Sequence, residues 1–219
     1  MSDSELIQNS LGPTPSIAKK VFGNRLNLAE AYAELLATDG IERGLIGPRE
    51  VSRIWERHVL NSAVLGEVVS QNARVIDVGS GAGLPGIPLA IARPDLEVQL
   101  LEPLLRRTVF LEEAVAKLGL DCSVHRGRAE DPQIRKSIGG ADVATSRAVA
   151  PLGKLTGWSL PLVRVGGAMV ALKGSSVHEE IERDAAVINR TGGGQPEVHS
   201  VGMGVLEQST FVVSIPRVS

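Results

Sequence analysis

The stretch Val75-Ile76-Asp77-Val78-Gly79-Ser80-Gly81-Ala82-Gly83-Leu84-Pro85-Gly86 constrains this chain more than any other. A short run of mostly apolar residues leads into glycine at every second position, and prolines follow at 85 and 88. Glycine permits positive φ and a close backbone approach to a ligand. Proline presets helical φ in a first turn. The segment predicts a buried strand, a tight glycine turn and a helix, the arrangement that opens nucleotide-type sites in parallel α/β sheets.

The pattern on either side supports that reading. Up to about Gln71 the periodicity is helical. Leu26, Tyr32, Leu35 and Leu36 predict one helix ending near Asp39-Gly40, and a second starts at Pro48. In the second, Val51, Ile54, Trp55, His58 and Val59 form one stripe at helical spacing. From Arg74 short apolar runs alternate with helical segments. Strands are predicted at Arg74 to Val78, Glu97 to Leu101, Cys122 to His125, Ala141 to Thr145 and Gly167 to Leu172. Two late strands follow around Pro196 to Met203 and Gln208 to Ser214. Helices fit between them, notably Leu105 to Leu118, Pro151 to Leu162 and Val177 to Asn189, the last with a capping box from Ser176 to Glu179. The expected architecture is α/β and Rossmann-like: a mostly parallel seven-stranded sheet ending in an antiparallel hairpin. The expected division is a helical extension over 1–71 and a core over 72–219, forming one compact unit.

Bulk properties narrow the classes. With 219 residues and 43% hydrophobic content, the chain can bury a sizeable core, and at 3% aromatic that core is aliphatic. The single Cys122 excludes an internal disulfide and a thiolate metal cluster, so no metal site is expected and a reducing cytoplasm fits. Neither an export signal nor a bilayer-length apolar run is visible, so no membrane partner is expected. The net charge of -2 means that any RNA contact must use a local basic patch.

The glycine turn is more specific than its outline. Gly81, Gly83 and Gly86 spell a dinucleotide-type G-x-G-x-x-G, but the first glycine should directly follow the strand. Counted from Gly79, the third glycine position holds Leu84, and Pro85 removes an amide that a pyrophosphate would use. A sulfonium cofactor carries no phosphate and loses nothing there. The turn therefore points to S-adenosylmethionine, with Gly79, Gly81 and Gly83 letting the backbone approach it. Glu102, ending the next strand, stands where an acid accepts hydrogen bonds from ribose hydroxyls. A dinucleotide site and a ligand-free glycine turn remain the alternatives.

The segment Asp77 to Leu89 closely resembles the bacterial 16S rRNA guanine-N7 methyltransferases, the glucose-inhibited division protein B family. So do Arg106-Arg107-Thr108-Val109-Phe110-Leu111, Ser146-Arg147-Ala148, Ala171-Leu172-Lys173-Gly174 and Arg57-His58-Val59-Leu60-Asn61-Ser62. The resemblance runs from about Asn24 to Arg217. It implies a class I methyltransferase fold, S-adenosylmethionine as cofactor and 16S rRNA, within the small subunit or an assembly intermediate, as partner. It places the cofactor against Gly79 and Leu84, with Asp77 helping to orient its amino-acid end, the adenine near Ala129 and Glu130, and Arg147 close to methyl transfer. Position 102 is Glu where many relatives have Asp, and position 61 is Asn where many have Asp.

Guanine nitrogen 7 has a free lone pair, so its methylation needs positioning rather than a general base. The chain offers no paired nucleophile and base, and no catalytic acid or base is assigned. Arg57, His58, Arg106, Arg107, Arg126 and Lys173 are the candidate RNA contacts, with Arg53, Arg128 and Lys154 nearby in the pattern. Plainer readings stand beside these: His58 as a satisfied buried histidine, Trp55 and Trp158 as packing, Asp77 as a cap of the glycine loop. The expected protein is a cytoplasmic monomer. Competing functions are an NAD(P)-dependent oxidoreductase, a methyltransferase for a protein or small molecule, and an RNA-binding module without enzymatic activity.

Overall fold

Central to the fold, in a computed structural model that describes residues 11–147 and 150–219, is a sheet built outward from the strand before the glycine turn. The strands are β1 (Arg74–Val78), β2 (Glu97–Glu102), β3 (Cys122–Arg126), β4 (Ala141–Arg147), β5 (Val163–Lys173), β6 (Glu197–Val201) and β7 (Thr210–Pro216). They form one 7-stranded sheet of order β3-β2-β1-β4-β5-β7-β6. The strands from β3 through β5 pair in parallel, and β7 runs antiparallel between β5 and β6. The late hairpin is thus present, with its second strand placed inside the sheet. Val75, Ile76, Val98 and Leu100 are all buried, as parallel strands covered on both faces require.

Strand order reverses between β1 and β4, so a crevice opens at their carboxyl ends. The helices that flank it are α1 (Leu26–Ala37), α2 (Gly86–Ala92), α3 (Leu105–Leu118), α4 (Pro132–Ile138), α5 (Leu152–Ser159) and α6 (Val177–Arg190). α4 was not among the helices singled out from the sequence, although its start signal is there. Asp131 accepts from the Gln133 amide at 2.8 Å and Pro132 fills the first turn. The Pro151 to Leu162 helix is α-helical only through Ser159, then tightens into a 3₁₀ turn at Leu160–Leu162. β5 starts earlier than expected, with an irregular register opposite Ala141 and Val143. There Gly167 is required, because a Cβ would stand 2.4 Å from the Asp142 carbonyl oxygen.

Two local expectations are corrected. No capping box forms at α6: Ser176 sits at φ -77, ψ 6, outside the extended conformation that aims a capping hydroxyl at the first-turn amides. Its hydroxyl turns instead to Glu180 Oε1 at 3.4 Å. The helix expected from Pro48 is a composite, 3₁₀ over Pro48–Arg53, π over Ile54–Leu60, and α and 3₁₀ again from Asn61 to Val68. Its stripe is buried nonetheless, including Ile54, Trp55, His58 and Val59. Single π segments inside helices often mark functional sites.

Among the described residues, the helical extension shares its core with the sheet. Tyr32, Leu36, Ile54 and Leu60 belong to the same buried cluster as Val75, Leu100 and Phe110. One face of the sheet is therefore covered jointly by α1, the composite helix, α2 and α3. Two smaller clusters lie under α4, α5 and α6 on the other face.

Candidate functional site

The carboxyl ends of β1, β2 and β4 surround a cavity of about 440 Å³ lined by Gly79, Gly81, Leu84, Glu102, Arg107 and Arg147, with Leu45 and Ile46 closing it from the extension. The backbone of the glycine turn makes this space. Gly79 has φ 73 and Gly81 φ 60, conformations that cost other residues about 1–2 kcal/mol. A Cβ on Gly81 would meet nothing nearer than the Gly79 carbonyl oxygen at 3.8 Å, so this glycine faces open space. Glu102 is buried and ties the turn to the next loop: Oε2 accepts from the Gly81 amide and Oε1 from the Leu104 amide, both at 3.0 Å. Each oxygen keeps a further lone pair, which suits a pair of ribose hydroxyls.

Gly79 and Pro103 also border a second cavity of about 120 Å³, walled by Val78, Leu101, Ala129, Glu130 and Trp158. Its mostly apolar surface suits a flat, weakly polar ring, and it contains the positions expected at the adenine. Trp158 is a residue that sequence reading left as packing. It does pack between sheet and helix, and it also walls this cavity, with the Lys154 ammonium 4.9 Å from its ring. The adjoining open cavities thus fit the parts of S-adenosylmethionine, and the Gly81 surface and the Glu102 lone pairs are where its polar groups would be held.

Two residues expected in contact with the cofactor stand behind the turn instead. A Cβ on Gly83 would lie 2.4 Å from Ile87 and 3.1 Å from the Tyr32 hydroxyl, so this glycine is required by packing against α2 and α1. Asp77 is fully buried, with Oδ2 accepting from the Gly86 amide at 3.0 Å. Burial pushes its carboxyl up to about 7, against the lowering effect of that amide. Oδ1 has no hydrogen-bond partner. Capping the start of α2 is the role this geometry gives Asp77. Tyr32, unread in the sequence as a site residue, donates to the Ala82 carbonyl at 2.8 Å and so props the same turn from α1.

Arg147 ends β4 and lines the larger cavity. Nη1 donates to the Arg57 carbonyl at 3.0 Å, and Nη2 lies 2.9 Å from His58 Nδ1. Arginine can only donate, so Nδ1 is the acceptor and the His58 proton is on Nε2, which donates to Glu50 Oε2 at 3.0 Å. Burial, followed by the Arg147 charge, lowers His58 to about 4, so the ring is neutral near pH 7. His58 is therefore corrected from RNA contact to interior residue, since it is buried and both nitrogens are engaged within the protein.

The remaining basic candidates divide. Arg57, Arg106 and Arg126 are exposed, Arg57 with one contact to Glu50 at 3.2 Å. Arg107 lines the cavity, 3.8 Å from Glu102. Arg126 and Arg128 border a further open cavity next to Pro103 and Leu104. Lys173 is drawn inward, bonded to Glu180 Oε2 at 2.7 Å and to the Ala150 carbonyl at 3.3 Å. Ala148, part of the Ser146-Arg147-Ala148 element, lies outside the described residues. No helix among the described residues is long and apolar enough to cross a membrane.

Solved structures share the fold. A precorrin-6y C5,15-methyltransferase from Geobacter metallireducens superposes with a TM-score of 0.52 at 13% identity, covering 78% of this chain and 89% of that one. Fibrillarin from Aeropyrum pernix, solved with natively bound S-adenosyl-L-methionine, gives 0.54 at 16% identity over 73% and 74% of the two chains. Sequence likeness is far closer to a ribosomal RNA small subunit methyltransferase G of Corynebacterium jeikeium, 65% identical over 99% of this chain and 97% of the relative. A protein of the same name from Mycobacterium marinum is 54% identical over 94% and 90%. The family profile of rRNA small subunit methyltransferase G matches residues 25–209.

Proposed function

This chain belongs to the rRNA small subunit methyltransferase G family, and on that premise we propose that it transfers a methyl group from S-adenosylmethionine to nitrogen 7 of a guanine in 16S rRNA. The observation that carries the reading is the pairing of an open glycine turn with a half-buried arginine at the end of β4, both lining one cavity. Bound S-adenosylmethionine supplies an electrophilic methyl group on a sulfonium centre. The chain's own residues bind and orient. Gly79 and Gly81 leave room for the cofactor, Glu102 accepts from its ribose, and the apolar wall of Ala129 and Trp158 takes its base.

The target nitrogen already carries a lone pair, so no residue of the chain has to remove a proton. Holding the base in line with the methyl group can lower the barrier by about 7–11 kcal/mol. Arg147 faces this space with donors not spent on Arg57 and His58. A guanidinium there suits a phosphate oxygen of the target nucleotide. If it bound nitrogen 7 itself it would occupy the reacting lone pair.

Nitrogen 7 lies on the deep groove edge of A-form RNA, so the target guanine must sit in a loop or leave its stack. Arg106 and Arg107 occupy the first turn of α3, where the helix dipole disfavours cations, beside the mouth of the cavity. With Arg57 and Arg126 they offer RNA phosphates a positive rim on a net-acidic protein. That balance favours a structured ribonucleoprotein substrate, the small subunit or an assembly intermediate, met in the cytoplasm by a monomer.

The test is transfer of labelled methyl groups to 16S rRNA from cells lacking the protein, offered free and within assembled small subunits. Label should enter a single guanine as 7-methylguanine, faster in subunits, with a steep loss of activity as salt rises. Label in protein or in another base would refute the proposal.

A further inference from the structure

Arg147 is held at the methyl-transfer end of the cavity by groups that come from the helical extension, not from the sheet. Its Nη1 donates to the Arg57 carbonyl at 3.0 Å and its Nη2 to His58 Nδ1 at 2.9 Å. The His58 ring is in turn fixed through Nε2 to Glu50 Oε2 at 3.0 Å. Glu50 also receives Arg57 Nη1 on Oε1 at 3.2 Å. The extension thus contributes a carboxylate and an imidazole in series, which end on the β4 guanidinium that lines the cavity.

We propose that His58 is a positioning residue for the transfer reaction, which aims the Arg147 guanidinium at the target nucleotide by presenting a lone pair at Nδ1, with Glu50 fixing that tautomer. This deepens the function proposed above and rests on it. Three features of the geometry support it. The ring is buried and touches no open part of the cavity, so it acts through Arg147. A guanidinium has five N–H donors in a rigid plane, so two anchored bonds from one side fix where the others point. The π segment Ile54–Leu60 carries Arg57 and His58 as neighbours, so the Arg57 carbonyl and the His58 ring reach Arg147 together. Second partners that fix the tautomer of a histidine are a general device for orienting the group on its other nitrogen.

The experiment compares His58→Leu, His58→Asn, Glu50→Ala and Arg147→Lys with the parent on small subunits lacking the modification. An asparagine amide oxygen can stand where Nδ1 stands, whereas leucine offers no acceptor. His58→Leu should lower kcat at least tenfold while KM for subunits and Kd for S-adenosylhomocysteine stay within about threefold. His58→Asn should recover most of kcat. Glu50→Ala, which frees the tautomer and leaves the ring in place, should lower kcat about threefold and serves if the leucine variant folds poorly. Adding His58→Leu to Arg147→Lys should cost less than twofold further, because the group it positions is already altered.

The inference is overturned if His58→Asn is as impaired as His58→Leu, if the His58 and Arg147 losses multiply, or if Glu50→Ala and His58→Leu both leave kcat intact. A parent that binds S-adenosylhomocysteine yet methylates no subunit overturns the underlying function. An active parent with fully active variants overturns this inference alone.

Discussion

The two sides of the active cleft are built on opposite plans. The cofactor side is local: β1, the glycine turn and the start of α2 are continuous in sequence, and Glu102 joins them from the next strand. The Arg147 side is assembled from afar, with Arg147 meeting His58 across 89 positions, and the turn itself is propped by Tyr32 meeting Ala82 across 50. A contiguous turn lines the cavity proposed for the cofactor. The remote contacts tie the turn and the end of β4 to the extension. The extension packs as part of the same body as the sheet, as its share in the main core shows.

That contrast breaks most sharply within the glycine turn itself. A Cβ on Gly86 would come within 2.4 Å of Leu100 and 2.8 Å of Asp77 Oδ2. Gly86→Val should destabilise the fold by about 3 kcal/mol, measured by urea unfolding. Gly81→Ala has space for its methyl group, so it should cost only about 1–2 kcal/mol of stability for its positive φ, yet lose most affinity for S-adenosylhomocysteine. Equal stability losses in the two variants would erase the distinction between packing and binding glycines.

A pH titration separates the two sides next. His58 is lowered from 6.5 to about 4, so its contribution to stability is complete above pH 6.5 and is lost as pH falls toward 4. Asp77 is raised from 3.8 to about 7, so its contribution is complete below pH 3.8 and is lost as pH rises through 7. Between pH 4.5 and 6.5 these slopes oppose each other. Asp77→Asn removes one, and its stability should then fall by about 2 kcal/mol from pH 6.5 to 4.5. A slope unchanged from the parent would show that the two groups do not titrate in this way.

Smaller effects sharpen the same division. Glu102→Gln keeps one acceptor and loses the charge, and should weaken S-adenosylhomocysteine about tenfold by calorimetry. An unchanged Kd would remove Glu102 from the ribose. Tyr32→Phe should cost about 1 kcal/mol of stability through the lost bond to Ala82. A loss of cofactor affinity larger than that stability change would make the extension a tighter partner of the turn than its single hydrogen bond implies.

What could be read from the sequence follows the same line. β1, the turn after it, the end of β2 at Glu102 and the late antiparallel hairpin were legible as structure because each is a short local pattern. For Asp77 the plainer reading as a cap is the one the geometry supports, and the facing of Gly83 was not legible, because a motif gives spacing but not which way a residue faces. Gly83 turns toward Ile87 and Tyr32, and Asp77 toward Gly86. Trp158 and Tyr32 carried only a packing signal, since what they border is contributed by distant strands and loops. The buried reading of His58 was available from its stripe. Its partner Arg147 was not, because no local rule links two residues 89 positions apart. The composite helix after Pro48 hid equally well, because a π segment keeps an apolar stripe that resembles α periodicity.

The most direct measurement is the melting temperature with S-adenosylhomocysteine, NAD and NADP, each at about a hundredfold excess over a micromolar Kd. A glycine turn that accepts a sulfonium cofactor and has no place for a pyrophosphate should be stabilised by the first alone, by about 2.7 kcal/mol. Stabilisation by NAD or NADP with none from S-adenosylhomocysteine would contradict the account.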